Sequence, residues 1–130
     1  MGLDACINRV NKEAIPDDQV VDFNIDHDCW VTNEVMYWRK FSDLQGWMQK
    51  EYMSLGGTDP EFNCSSLLVT LDMLERLRLD IKSNSIGKTD GFFFGEMTED
   101  KWKVLDKNID DLIFMIGNNP HHKFYYSAWY

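Results

Sequence analysis

The chain has 130 residues, of which 44% are hydrophobic, 14% aromatic and 27% charged, as is typical of one globular domain. Its formal net charge is −9, so we expect no direct binding to the phosphate backbone of nucleic acids. No apolar run approaches the roughly 20 residues of a membrane helix, and the N-terminal residues lack the basic leader of a secretory signal. The sequence therefore predicts one soluble, cytoplasmic domain over residues 1–130, without a membrane partner.

The first half of the chain predicts two strands and one helix. Residues 3–10 are mainly apolar, which favours a strand. In residues 21–25 apolar residues alternate with Asp and Asn, which predicts a half-buried strand with its acids on the outer face. Large apolar residues recur at helical spacing over residues 38–55, and Gly56-Gly57 then favours a helix end.

The second half continues the interleaving of strands and helices. Thr70 and Thr98 each precede an apolar stripe of helical period, so each is a candidate N-cap. The predicted elements are, in order, a strand at 67–70, a helix at 71–83, a strand at 91–95, a helix at 99–116 and a strand at 123–129. This pattern predicts an α+β fold, in which a small mixed or antiparallel sheet packs against about three helices.

Acidic residues are concentrated in one quarter of the chain. Residues 13–38 contain seven Asp or Glu and no Lys or Arg, so they produce a local negative field. Such a field can attract a basic partner surface, and the alternative is a solvated surface that only aids solubility. The candidate acidic partner face comprises Asp17, Asp18, Asp22, Asp26 and Asp28.

Two short motifs resemble ligand loops without completing them. The oxygen-bearing residues at 22, 24, 26 and 28 have the spacing of a calcium loop. However, His27 stands where that loop needs Gly, and Asn33 where it needs Glu. Gly87-Lys88-Thr89 is similar to the end of a phosphate-binding P-loop, but Lys82 stands where the first Gly is required. We therefore expect no metal and no cofactor, and we expect a turn with an exposed Lys88.

The cysteine and histidine residues indicate no metal or redox centre. Cys6, Cys29 and Cys64 are odd in number, widely spaced and without a CxxC motif. His27 with Cys29, and the adjacent pair His121-His122, lack a recognised ligand spacing. We therefore expect no disulfide scaffold, no zinc site and no cysteine nucleophile.

Two aromatic clusters are candidate contact sites. Tyr37-Trp38-Arg39-Lys40 places a guanidinium beside planar rings, where it could bind a carboxylate or phosphate. The alternative, which we favour for Arg39, is a structural ion pair with the acidic strand. The aromatic residues of segment 125–130 suit either a core strand, which we favour, or a contact surface.

Several segments occur in an order that resembles a known family. They are Gly2-Leu3-Asp4, Glu34-x-x-Tyr37-Trp38-Arg39-Lys40 with Leu44 and Trp47, Asn63-Cys64, Gly91-Phe92-Phe93-Phe94-Gly95 and Tyr126-Ser127-x-Trp129. This set resembles a family of small uncharacterised proteins encoded by bacteriophages and bacteria. Some members carry the label phosphoglycerate kinase, which does not fit a chain this small without a nucleotide motif. Relatives often have a histidine before Trp47, where this chain has Asp43-Leu44-Gln45-Gly46, so a catalytic role of that histidine does not transfer.

The resemblance and the lack of a complete catalytic motif together predict a non-enzymatic protein of a phage or mobile element. We expect it to act in the bacterial host cytoplasm, where it binds and modulates, most simply by inhibition, a host protein such as a defence or nucleic-acid enzyme. The alternative is a site for a nucleotide or other small anion at residues 37–40. The sequence leaves self-association open. Candidate partner- or ligand-binding residues are Tyr37, Trp38, Arg39, Lys40, Tyr126 and Trp129.

Overall fold

A computed structural model describes residues 2–91 and 94–130, which form an antiparallel sheet with three α-helices. The α+β prediction is therefore confirmed, with an antiparallel rather than a mixed sheet. The elements are β1 (Asp4–Asn11), β2 (Asn33–Arg39), α1 (Ser42–Ser54), β3 (Leu67–Val69), α2 (Leu71–Lys82), α3 (Glu99–Gly117) and β4 (His122–Trp129), with a 3-10 turn at Lys12–Ala14.

The sheet order is β2-β1-β4-β3, so the first and last strands of the chain lie at its centre. The register pairs Asp4 with Arg39 on one side and with Trp129 on the other. An irregularity after Ile7 shifts the pairing with β2 by one residue, while the pairing with β4 is continuous. Side chains of β1, β2 and β4 near Asp4 therefore form aligned rows across the sheet.

One face of the sheet packs against the helices and forms the main core. Ala5 and Ile7 of β1 point into it, as do Phe124 and Tyr126 of β4, because alternate residues of a strand share a face. The helices contribute the following buried apolar residues: Leu44, Met48, Leu74, Leu77, Leu105, Ile109 and Leu112.

The two later helices match the sequence prediction closely. The Thr70 side chain accepts a hydrogen bond from Met73 N, and the Thr98 side chain accepts one from Lys101 N, so both threonines are N-caps. The predicted helix at 38–55 begins too early, since Trp38 and Arg39 belong to β2. Lys40 then adopts a φ of +59°, and α1 starts only at Ser42.

One predicted strand is wrong. Residues 21–25 form no strand: only Val21 makes an isolated bridge, to Leu67, and Asp22 has a φ of +54° that ends any extended run. In the predicted strand at 91–95, residues 92 and 93 lie outside the described residues. Of the described residues in this range, Gly91, Phe94 and Gly95 belong to no strand, and Gly95 has a φ of +72°.

Candidate functional site

Six side chains lie together on the sheet face that points away from the helices. Strand alternation and the register place them in two rows across β2, β1 and β4. Cross-strand neighbours have Cβ atoms about 4.5–5.5 Å apart, so the rows form one continuous surface, which we call the sheet patch. Its rows are Arg39, Asp4 and Trp129, and Tyr37, Cys6 and Ser127.

Asp4 is the hydrogen-bonded centre of the sheet patch. Arg39 Nη1 lies 3.0 Å from Asp4 Oδ1 and 3.2 Å from Oδ2, and the Tyr37 hydroxyl donates to the same Oδ1. The hydrogen bond from Tyr37 holds the pKa of Asp4 below its ordinary value against the effect of desolvation, and Arg39 lowers it further. The same contact raises the pKa of the Tyr37 phenol. At neutral pH the site is therefore an ionised carboxylate between a protonated phenol and a guanidinium.

The outer members of the sheet patch stay open to solvent. The Arg39 side chain is 50% exposed and that of Asp4 only 16%. Tyr37 is 47% and Trp129 42% exposed, which is high for such large rings. Cys6 is buried beneath them, and this burial raises the pKa of its thiol. The patch is thus a filled surface bearing two rings and a guanidinium, suited to contact with another surface.

Trp38 and Tyr126 lie on the opposite face and belong to the core. Both are buried, and their ring centroids are 6.4 Å apart. Trp38 Nε1 donates to Asn108 Oδ1 at 2.9 Å, and the Tyr126 hydroxyl donates to Gln45 Oε1 at 2.6 Å. Since neighbouring strand residues point to opposite faces, these two cannot join Tyr37 and Trp129. This placement corrects the sequence-based choice of Trp38 and Tyr126 as contact residues.

Lys40 leaves the sheet just after Arg39. Its N–H donates to Leu3 O at 2.7 Å, and its aliphatic chain passes over Gly2 and Gly95. A Cβ at Gly2 would lie 3.0 Å from Arg39 Nη2 and 3.1 Å from Lys40 Cε, so both cations border Gly2. Asp4, however, already binds Arg39. The Asp4 carboxylate thus occupies the position beside Arg39 at which the carboxylate or phosphate of a ligand would bind.

The five aspartates of the candidate acidic face lie in the segment before β2, residues 15–32, which we call the acidic loop. All five are exposed: Asp17, Asp18, Asp22, Asp26 and Asp28. Ile15 and Phe23 of this loop form a second, smaller core with Val10 and Tyr125. These two strand residues lie on the same sheet face as Asp4, so the acidic loop covers one part of that face and leaves the sheet patch bare.

The protein's own groups bind several of these carboxylates. Asp17 lies 2.9 Å from Lys123 Nζ, which also donates to Ile15 O. Asp26 accepts from the N–H of Asp28 at 3.0 Å, as in a local turn. Arg39 does not pair with this loop, so the expected ion pair with an acidic strand is corrected to the pair with Asp4.

Asp22 connects the acidic loop to the end of α1. Its Oδ1 accepts from the Tyr52 hydroxyl at 2.5 Å, and its Oδ2 accepts from Thr58 N at 2.9 Å and Thr58 Oγ1 at 3.1 Å. Desolvation alone raises the pKa of Asp22, but these hydrogen bonds outweigh it and the net pKa is lowered. Asp22 is therefore a structural residue of the loop, whereas Asp18 and Asp28 present exposed side chains on its surface.

A cleft of about 470 Å³ opens in the helical layer, between the first turn of α1, the last turn of α2 and the first turn of α3. Sequence reasoning did not find it, since its walls come from distant segments. A second hollow of about 280 Å³ shares Asp80, Ile86 and Lys88 with it. The cleft is lined by Ser42, Asp43, Asp80, Ile81, Asn84, Ile86, Lys88, Gly95, Glu96, Met97 and Trp102.

Gly87-Lys88-Thr89 lies in an irregular segment that runs beside this cleft. Helix α2 precedes the segment, whereas a P-loop follows a strand. Lys88 is exposed, as expected, and Thr89 N donates to Asp43 Oδ1 at 2.9 Å. Among the described residues, no group of three or more His, Cys, Asp or Glu side chains is placed to bind a metal ion.

Sequence reasoning identified Tyr37, Arg39 and Trp129 but missed Asp4, to which all three are adjacent. It also missed Cys6 and Ser127 in the second row. In the structure exposed Tyr37 and Arg39 flank buried Trp38, as strand alternation requires. In the sequence, however, residues 35–38 are a continuous apolar and aromatic run, Val-Met-Tyr-Trp, which carries no alternating signal. The Asp4 contacts depend on strand register, which local sequence does not determine.

Comparisons of the chain with protein-family models, curated proteins and solved structures give no match. Within residues 2–91 and 94–130, no helix has the length and hydrophobicity that a membrane span requires. The proposals on function therefore depend on the sheet patch, the acidic loop and the cleft, together with the sequence resemblance.

Proposed function

We propose that this protein is a non-enzymatic binding protein that docks its open sheet face on a basic surface of a bacterial host protein and thereby modulates that protein. The observation that supports this most directly is the convergence of exposed Tyr37, Arg39 and Trp129 around Asp4. Because these residues extend from three adjacent strands, their positions are fixed before a partner arrives.

The residue types of the sheet patch favour a protein partner. Tyr, Trp and Arg are the residues most enriched among the few that supply most of the binding energy of an interface. Asp4 holds the Arg39 guanidinium and the Tyr37 hydroxyl in place, so less side-chain entropy is lost on binding. The patch thus combines anchoring side chains with a preorganised surface.

Charge indicates what kind of partner fits. The chain carries a net charge of −9, and the acidic loop lies beside the sheet patch on the same face. A negative field of this kind accelerates association with a basic surface and disfavours acidic partners. Nucleic-acid-binding proteins carry basic surfaces, because they neutralise phosphates with Lys and Arg.

The host assignment comes from the sequence resemblance to small phage and bacterial proteins. A defence or nucleic-acid enzyme of the host has a basic surface that binds nucleic acid. A phage also benefits when such an enzyme is inhibited. Occupation of that surface by the acidic loop and the sheet patch would compete with nucleic acid, and inhibition is the expected outcome.

The test begins with purified protein immobilised as bait in a bacterial host lysate at low and moderate salt. Any retained protein is identified and purified, and its dissociation constant is measured by calorimetry. The double variant Tyr37→Ala/Trp129→Ala should weaken binding by about 2 kcal/mol or more, since the two rings are the proposed anchors. Asp18→Asn/Asp28→Asn should slow association and reduce its salt dependence.

Phe114→Ala provides the matched control, because Phe114 is a 74% exposed ring on α3, in the helical layer rather than on the open sheet face. Retention by wild type and Phe114→Ala, together with loss in the Tyr37/Trp129 variant, supports the proposal. Failure to retain any host protein, or equal affinity of all variants, contradicts it.

A further inference from the structure

The cleft in the helical layer has the size and lining of a small-molecule site. Its volume of about 470 Å³ lies within the range of roughly 300–1,000 Å³ typical of ligand pockets. Ile81, Ile86 and Met97 form apolar walls, and the half-buried Trp102 adds an aromatic ring. Such a lining, with a few convergent polar groups, is typical of sites that enclose an apolar body and orient it by its polar end.

The charges around the cleft are predominantly negative. Asp43, Asp80 and Glu96 line it, against one cation, Lys88. Lys88 is exposed and lies 3.9 Å from Asp90, so a nearby carboxylate already offsets its charge. Asp80 also lies in the last turn of α2, where the helix dipole adds negative potential. An anionic ligand would be repelled here, and a cationic one attracted.

Two of these carboxylates are fixed in position. Asp43 Oδ1 accepts from Thr89 N at 2.9 Å, and Asp80 Oδ2 accepts from Trp47 Nε1 at 2.9 Å. Each carboxylate has a second oxygen that makes no hydrogen bond within the part of the chain that the structure describes. These oxygens are preorganised acceptors, because the two side chains are already ordered and lose little conformational entropy when a donor binds.

We infer that this cleft binds a small organic cation, an amine or guanidinium attached to an apolar body. The ammonium or guanidinium donates to Asp43 and Asp80, and the apolar part lies along Ile81, Met97 and Trp102. A cation beside the Trp102 ring also gains from its negative face. A bare metal ion is not the occupant we infer, since the described carboxylates are not grouped for metal coordination and Ile81, Ile86 and Met97 line the cleft with apolar groups.

Three probes of similar size and different charge test this inference: 2-phenylethylamine, 2-phenylethanol and 3-phenylpropionate. Each is titrated into isotope-labelled protein while the backbone amides and the Trp102 indole N–H are followed by NMR. The amine should give saturable shifts at Trp102, Lys88 and Gly95. The alcohol should bind about ten-fold more weakly, because one charge-assisted hydrogen bond is lost, and the carboxylate should not bind.

The double variant Asp43→Asn/Asp80→Asn keeps an acceptor oxygen for Thr89 and Trp47 but removes both charges. It should weaken binding of the amine about ten-fold or more. Asp18→Asn/Asp28→Asn removes two charges from the acidic loop and serves as the net-charge control, with unchanged amine binding expected. Equal binding of the three probes, tighter binding of the carboxylate, absence of saturable shifts with the amine, or equal losses in both double variants would overturn the inference. These outcomes are independent of the sheet patch, which lies on the other face of the sheet.

Discussion

The Asp4 carboxylate and the Arg39 guanidinium face each other across the β1–β2 pair, with Nη1 3.0 Å from Oδ1. The two residues are directly opposite in the register, so the ion pair forms as soon as the strands align. The seven acids of residues 13–38, which are much closer in sequence, do not take part in it. Arg39 therefore belongs to the sheet patch rather than to the acidic loop.

Arg39→Ala separates a binding role from a stabilising role. The Arg39 side chain is half exposed, and exposed ion pairs contribute little to stability. We expect only a small shift in the midpoint of urea denaturation, together with a clear loss of affinity for the retained host protein. Arg39→Lys, which keeps the charge but loses the fork-shaped pairing with Asp4, should also bind more weakly. A large loss of stability in Arg39→Ala would show a structural role instead.

Tyr126→Phe should destabilise the fold although it removes only one oxygen atom. The buried Tyr126 hydroxyl donates to Gln45 Oε1 at 2.6 Å, while Gln45 Nε2 donates to Phe62 O at 3.2 Å. Burial raises the pKa of Tyr126, so the phenol remains a donor at neutral pH. Without it Gln45 keeps a buried, unpaired acceptor, at a cost of about 1–3 kcal/mol in the free energy of unfolding. Denaturant melts measure this loss. Tyr37→Phe is the control, because the Tyr37 phenol is exposed and its removal should cause no comparable change in the free energy of unfolding.

Asp22→Asn tests the attachment of the acidic loop. The wild-type carboxylate accepts hydrogen bonds on both oxygens, from Tyr52 and from Thr58. In Asp22→Asn an NH₂ group replaces one of the two carboxylate oxygens. This donor then faces another donor, either the Thr58 N–H or the Tyr52 hydroxyl, and one hydrogen bond is lost. Asn tolerates the positive φ at this position, so backbone strain does not confuse the result. At pH 7 we expect the free energy of unfolding to fall by about 1 kcal/mol. This value is at the low end of the range for a lost hydrogen-bond partner, because Asp22 is exposed.

The same variant should lose its difference from wild type in acid. The folded-state pKa of Asp22 lies below the ordinary value of 3.8, so ionised Asp22 stabilises the fold above that value. This contribution is lost as the pH falls through the lowered folded-state pKa. Urea melts at pH 7 and at decreasing pH below 4 should therefore converge for wild type and Asp22→Asn. A difference that persists undiminished at the lowest pH would contradict the assignment.

Gly46→Ala should displace the segment beside the cleft. A Cβ at Gly46 would lie 1.8 Å from Thr89 Oγ1, and Thr89 N is itself bound to Asp43. The resulting overpacking should cost about 1–3 kcal/mol. In a Thr89→Gly background the same substitution should become neutral or stabilising, since Ala is the better helix former. Gly87→Ala is the control, because nothing lies within 4 Å of its Cβ position. Denaturant melts of the wild type, the two single variants and the double variant measure the coupling between Gly46 and Thr89, and additive effects would contradict the prediction.

The parts of the fold that sequence analysis predicted are those determined locally. Helices α2 and α3 carry an apolar stripe and a threonine N-cap within a few residues, and both features act without distant partners. The strand predicted at 21–25 has a local alternation too, but a strand also needs a ladder partner. Only Val21 obtains one, and Asp22 instead uses its side chain to hold Tyr52 and Thr58.

The candidate site was predictable only in its residue types. Tyr37 and Arg39 stand out in the sequence as an aromatic and a cationic residue after an acidic stretch, and Trp129 belongs to an aromatic segment. Their convergence on Asp4 depends on two strand pairings that join residues 4 and 39 and residues 4 and 129. The predicted helix also took in Trp38 and Arg39, although both residues belong to β2. The cleft required the relative positions of three helices, which no local pattern provides.

The placement of β1 and β4 at the centre of the sheet also governs how the chain must fold. Asp4 pairs with Trp129, so formation of the central ladder closes a loop of nearly the whole chain. The conformational entropy of that loop is lost before the contacts between β1 and β4 stabilise the fold. Until β4 arrives, β3 has no ladder partner, because it pairs with β4 alone among the named strands. Contacts of such long sequence separation make folding slow. The sheet patch is complete only once β4 has paired with β1, because Trp129 and Ser127 belong to β4.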